Sequence, residues 1–297
     1  MAEVAAPSAV VVQEAPAQNK PTFVHGIELN TLTMDAALKT LNMTQAEFDA
    51  TMSPNANWAW PGSQDGWKLS HDAIRFDMDN LAAGIAKTQE LLASGKPLAA
   101  WQVTDIHAIA RHFYHEIRMH HDHEEDIFFP YMEKKVTVPP KMSSDHKTLM
   151  ALLDRVRDLA LSLKPGPPET CLSTVEELHS AVLALRKDMK EHLEEEEVIG
   201  LPLMRKNFTS KEIAIPEKEI VADLKPSDMA WFLRPMKTVE EKRAAMTRVG
   251  IPGLIQTLVM MPAVRKDDAG LMRMYRELAA GEPMAPPAKK GFLCFAA

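Results

Sequence analysis

Two stretches of this chain repeat each other, and the repeat leaves few folds open. His120-His121-Asp122-His123-Glu124-Glu125 is followed by Pro130, and His192-Leu193-Glu194-Glu195-Glu196-Glu197 by Pro202. Both read H-x-x-x-E-E-x-x-x-x-P. A single histidine precedes each at a similar distance: His71 lies 49 positions before His120, and His146 lies 46 before His192. Residues i and i+4 of a helix sit about 40° apart on one face, so each His-x-x-x-Glu pair converges on one point. The rest of that face is apolar: Ile106, Ile109, Phe113 and Ile127 in the first copy, and Leu178, Ala181, Leu185 and Ile199 in the second. Met78, Ala82 and Ile85 follow His71, and Met150, Leu153 and Ala160 follow His146. Six polar groups aimed into an apolar interior are costly unless something satisfies them. A bound cation does so.

The spacing predicts four long helices: about Leu69–Leu92, Ala99–Pro130, a third opening at Ser143 or Ser144, and a fourth opening at the capping box Ser173–Glu176. Gly95 and Pro97 end the first, and the Pro/Gly run Pro165–Pro168 ends the third. Short connections force antiparallel neighbours. The expected fold is therefore all-α: an up-down-up-down four-helix bundle with an N-terminal extension and a C-terminal helical appendage. The expected divisions are a disordered segment 1–22, short helices and a packed loop over 23–66, the bundle over 67–206, the appendage over 207–280 and a flexible tail 281–297. Further capping boxes open short helices at Thr44, Thr209 and Thr238. Trp58, Trp60, Trp67 and Trp231 are expected to anchor the appendages by packing.

His71, His120, Glu124, His146, His192 and Glu196 are the expected metal ligands. Glu116 and Asp188, each four residues before a ligand histidine, border the same face and are expected to support it. Glu125 falls about 140° away on a regular helix and reads as surface or as a supporting residue. His121 is ambiguous, and His123 could orient a ligand or add one. His25, His107, His112, His115 and His179 have no ligand context. Imidazole mixed with carboxylate, without thiolate, suits iron or manganese better than structural zinc. The expected cofactor is a pair of iron ions bridged by the two glutamates, with manganese or zinc as alternatives.

Taken together, these motifs over residues 67–206 resemble the hemerythrin-like, or HHE cation-binding, domain. The resemblance implies a non-haem di-iron bundle that binds iron and reacts with or senses O2, peroxide or nitric oxide. Oxygen-carrying hemerythrins have a second histidine on the third helix, four residues after the first, and here that position is Met150. This departure favours sensing, storage or redox chemistry over reversible carriage. Two further readings stay open: a di-iron oxidase or peroxidase acting on an organic substrate, and an interaction scaffold stapled by metal.

Other features exclude classes. A net charge of −7 argues against a nucleic-acid partner. No apolar run approaches the ~20 residues of a transmembrane segment, and the N-terminal twenty read as neither signal nor transit peptide. With Cys171 and Cys294 the only thiols, a disulfide framework is excluded and a cytoplasmic, reducing location is expected. Cys294-Phe295-Ala296-Ala297 formally fits a C-terminal lipidation signal at Cys294.

Overall fold

The computed structural model describes residues 22–284. The lipidation signal at Cys294 and the N-terminal segment before residue 22 lie outside the described residues. A small hairpin, β1 (Thr22–Val24) with β2 (Ile27–Leu29), precedes α1 (Met34–Leu41) and α2 (Gln45–Met52). Among the described residues, every further named element is helical. The long helices are α3 (Gly66–Ala93), α4 (Ala100–His123), α6 (Pro140–Ser162) and α7 (Pro168–Glu195). The short α5 (Phe129–Met132) and α8 (Leu201–Asn207) extend α4 and α7 beyond wide turns described below. The remainder comprises α9 (Ser210–Asp223), α10 (Pro226–Phe232), α11 (Val239–Arg248), α12 (Gly253–Ile255), α13 (Met261–Ala269) and α14 (Leu271–Ala280).

The four long helices contact one another in a closed cycle: α3 with α7, α7 with α6, α6 with α4, and α4 with α3. Their ends have local causes. The Asp65 carboxylate accepts from the Trp67 N–H to cap α3, and Gly95, at φ 86°, ends it in the left-handed region. The starts of α6 and α7 correct the expectation. Pro140 and Pro168 occupy the first helical position, where the missing N–H costs nothing and φ is already helical. Ser143, Ser144 and Ser173 therefore lie inside helices and cap neither. Leu98 and Gly166, in the two loops at one end, exchange backbone hydrogen bonds of 2.8 and 3.1 Å.

Two buried clusters flank the polar centre. One runs along the four helices and takes in Met229, Trp231, Tyr275 and Leu278 from the C-terminal elements. Gly84 lets α14 close on α3, since a Cβ there would lie 3.0 Å from Leu278. The other caps the opposite end with Phe48, Met52, Trp58, Phe128, Met132 and Met204. Glu194 ties the N-terminal extension down: its carboxylate accepts from the backbone N–H groups of Asn30, Thr31 and Leu32 at 2.8–3.1 Å. Among the described residues, no helix is long and apolar enough to cross a membrane.

Candidate metal centre

Where the two motifs lie, the helices widen. Glu124–Phe128 and Glu196–Gly200 are single π-turns, each closed by an N–H five residues on, Phe129 to Glu124 and Leu201 to Glu196. The prolines of the repeat explain both. In a regular helix the Pro130 ring would strike the carbonyl of Asp126 and Pro202 that of Val198, and neither could donate an N–H. Widening the preceding turn by one residue relieves the clash. A third π-turn, Gln256–Met260, likewise precedes Pro262. The widened turn also re-aims the two adjacent glutamates.

The structure brings His71, His120, Glu124, His146, His192 and Glu196 together at the middle of the four helices. Glu124 Oε1 lies 3.1 Å from His120 Nε2 and 3.8 Å from His71 Nε2, while its Oε2 lies 3.4 Å from His146 Nε2. Glu196 mirrors it. Its Oε2 is 3.3 Å from His71 Nε2, and its Oε1 is 3.4 Å from His192 Nε2 and 3.8 Å from His146 Nε2. Each carboxylate thus turns one oxygen to each of two histidine groups. Donors about 2.1 Å from a shared ion and at right angles to each other lie roughly 3.0 Å apart, so these separations suit common coordination. Two overlapping groups could each hold an ion: His71, His120, Glu124 and Glu196, and His121, Glu124, His146 and His192.

His121 is the member the sequence reading left ambiguous. It is buried, its ring stacks on that of His146 at 4.1 Å between centroids, and neither ring nitrogen has a hydrogen-bond partner. Also buried without partners are His71 Nε2, His120 Nε2, Glu124 Oε2 and both oxygens of Glu196. So many orphaned donors and acceptors facing one point are what a cation would satisfy.

The second glutamate of each motif reaches across to the lone histidine of the other half. His71 Nδ1–H donates to Glu197 Oε1 at 2.9 Å, and His146 Nδ1–H donates to Glu125 Oε1 at 2.7 Å. Those bonds fix each ring's orientation and turn its Nε2 to the centre, where His146 Nε2 lies 3.1 Å from His192 Nε2. Arg75 Nη1 holds Glu197 in turn, at 2.5 Å. Trp67 does more than pack: its indole N–H donates to Glu124 Oε1 at 2.5 Å. A Cβ on Gly200 would come within 2.7 Å of the Trp67 ring, so the absent side chain there lets the indole reach the centre.

Charge at this point is finely set. Burial disfavours an ionised His71, but Glu124, Glu196 and Glu197 outweigh it and hold the imidazole up at about 10. His146 is likewise pushed to about 9 against burial by Glu196 and Glu124. Burial would raise Glu124, yet His120 and its neighbours hold it well below the usual carboxylate range. Without ions the carboxylates keep protons on the histidines. A cation bound here would take the place of those protons and release them.

Three expectations need correction. Asp188 pairs with Lys187 at 3.6 Å and is half-exposed, away from the centre. His123 bonds Asp223 on α9 at 3.1 Å and does not enter the ligand set. Glu116 faces a separate network in which Arg234 pairs with Asp77 at 2.5 Å, with Asp267 at 2.7 Å and with His112 Nε2 at 3.0 Å, locking the C-terminal elements to α3 and α4. Burial, then the nearby Asp228 charge, pushes Glu116 up to about 9. Glu116, His115 and Asp228 also lie close enough to share a cation. Between the model-compound value of 4.5 and about 9, the folded chain holds a proton that the unfolded chain gives up. Stability falls as pH rises through that window. Glu116→Gln is therefore expected to raise Tm by several degrees at pH 8, at about 2–4 °C per kcal/mol, and hardly at all at pH 4. Calorimetry at the two pH values checks this, and equal shifts at both would contradict it.

Residues 64–204 match the family model described as Hemerythrin HHE cation binding domain. Comparison with curated proteins and with solved structures gives no match.

Proposed function

We propose that the hemerythrin HHE domain of this chain is an up-down-up-down four-helix bundle that holds two iron ions and reacts with or senses O2, peroxide or nitric oxide. The observation that carries this is the pair of carboxylates, Glu124 and Glu196, each presenting one oxygen to each histidine group. One ion would sit among His71, His120, Glu124 and Glu196, and the other among His121, His146, His192 and Glu124, with Glu196 Oε1 3.4 Å from His192 Nε2. Bound there, two iron ions supply redox change and open positions for a small ligand. The protein's part is to exclude water, orient the imidazoles through Glu125 and Glu197, and keep the carboxylates ionised.

In this assignment His121 provides the imidazole that Met150 does not. The argument against reversible carriage drawn from Met150 then loses its basis, and the small ligand has to be found by experiment. Anaerobic loading with ferrous iron followed by O2, hydrogen peroxide or nitric oxide is expected to change the optical spectrum with at least one of them. An unchanged spectrum with all three, at full iron content, would contradict the reading. Glu125→Gln and Glu197→Gln are expected to weaken iron binding 10–100-fold while leaving two sites at saturation. Titration against a competing chelator reads both quantities, and unchanged affinity in both variants would contradict the orienting role.

The segments 23–66 and 207–280 are proposed as covers folded onto this bundle, the second contributing to the buried clusters on both sides of the centre. A purely stapling metal would call for a sealed centre, whereas a cavity adjoins His120 and Glu124.

A further inference from the structure

The cavity beside the candidate centre lies between the helices of the HHE match and the C-terminal elements, which that match does not include. One wall is Trp67, Met119 and Phe128 from α3, α4 and the first π-turn. The other is Val221 and Leu224 from the end of α9, with Trp231 from α10. His120 and Glu124 form part of its lining, so an occupant would touch the edge of the His71–His120 group. Its volume is about 110 Å³, and it opens partly to solvent. Apolar cavities of roughly 150 Å³ stay dry and take up benzene, so this one suits a compact single-ring or short-chain molecule.

Its few polar groups narrow the class. Among the described residues that line it, none is Lys or Arg, while Glu217 and Asp228 contribute carboxyls. The two carboxyls, with no Lys or Arg to balance them, disfavour an anionic ligand in the chelated chain. Burial, helped by the Asp65 charge, raises Glu217 to about 8. At neutral pH its carboxyl is then uncharged and can both donate to and accept from a hydroxyl. The Trp231 indole N–H is buried without a partner, a further donor for a hydroxyl oxygen.

We propose that this cavity is a binding site for a small neutral organic molecule, mainly apolar and bearing one hydroxyl, of about the size of a simple phenol, seated against His120 and Glu124. The proposal rests on the two-ion reading only for what the ligand adjoins, since the cavity itself needs no metal.

The test uses the full chain, as purified with iron and after chelation, with 4-methylphenol and benzoate as probes in isothermal titration. Saturable binding of 4-methylphenol is expected in both forms, with benzoate at least tenfold weaker in the chelated chain. In the iron-loaded form, 4-methylphenol is also expected to shift the iron spectrum. Val221→Trp and Leu224→Trp each fill the cavity from the wall away from the ligands. Either is expected to weaken 4-methylphenol at least tenfold while leaving iron content unchanged, and the second serves if the first misfolds. No saturable binding to either form, benzoate binding the chelated chain as well as 4-methylphenol does, or unaltered binding in the folded variants would overturn the site. Binding to a chain that takes up no iron would keep the cavity and sink the two-ion reading instead. Full iron content with binding but an unmoved spectrum would overturn the placement against His120 and Glu124.

Discussion

Glu196→Ala is expected to remove both ions, where loss of a single histidine removes one. Its two oxygens face different histidine groups, at 3.3 Å from His71 and 3.4 Å from His192. Alanine deletes one donor from each position and uncouples the two halves. It also leaves His71 and His192 buried without the anion between them, which is costly in its own right. The thermal consequence is large. A ligand present at about a thousand times its Kd stabilises the folded state by roughly 4 kcal/mol, and the variant forfeits that for both ions. Elemental analysis and calorimetry in the presence of ferrous iron check the expectation. The variant should hold almost no iron, melt below chelated wild-type protein by the cost of the unpaired histidines, and show no rise in melting temperature when ferrous iron is added. Retention of one full ion would show that Glu196 belongs to a single position.

The second large effect is expected at His121. Its burial, its stacking on His146 and its two unpartnered nitrogens make it a donor to the position shared with His146 and His192. His121→Ala should therefore lose about one ion per chain while keeping the one held by His71 and His120. The rescue is specific. Met150 and His121 line the same depression beside His146, so Met150→His offers an imidazole to the same vacancy from α6. The double variant His121→Ala/Met150→His should regain the second ion and its optical features. A His121→Ala protein with two ions and an unaltered spectrum would reduce His121 to a packing residue.

Much of this site was legible because its chemistry is written at helical spacing. His-x-x-x-Glu repeated after a lone histidine gave the six polar groups and the face they share, and the structure gathers those six at one point. What the spacing hid was the π-turn. A period of 3.6 puts Glu125 and Glu197 on an outer face, and only the wider turn forced by Pro130 and Pro202 swings them to His146 and His71. The prolines are plain in the sequence, but a regular 3.6-residue period carries no trace of the wider turn they impose. His121 escaped for a related reason: adjacent to a ligand, it turns inward only where the helices meet. Ser143 and Ser173 misled because a good capping side chain was preferred to a proline already suited to the first helical position. The covers were legible only as helices. Where α9 and α10 sit depends on contacts across a hundred residues or more, such as His123 with Asp223 and Arg234 with Asp77, and no local pattern encodes those.

The central claim is that two carboxylates and five imidazoles form one centre for two ions. Elemental analysis of the full chain, loaded anaerobically with ferrous iron and freed of excess, tests it most directly. About two iron ions per chain are expected, as for a two-metal site. A content near zero, or one ion per chain unaffected by Glu196→Ala, would contradict it.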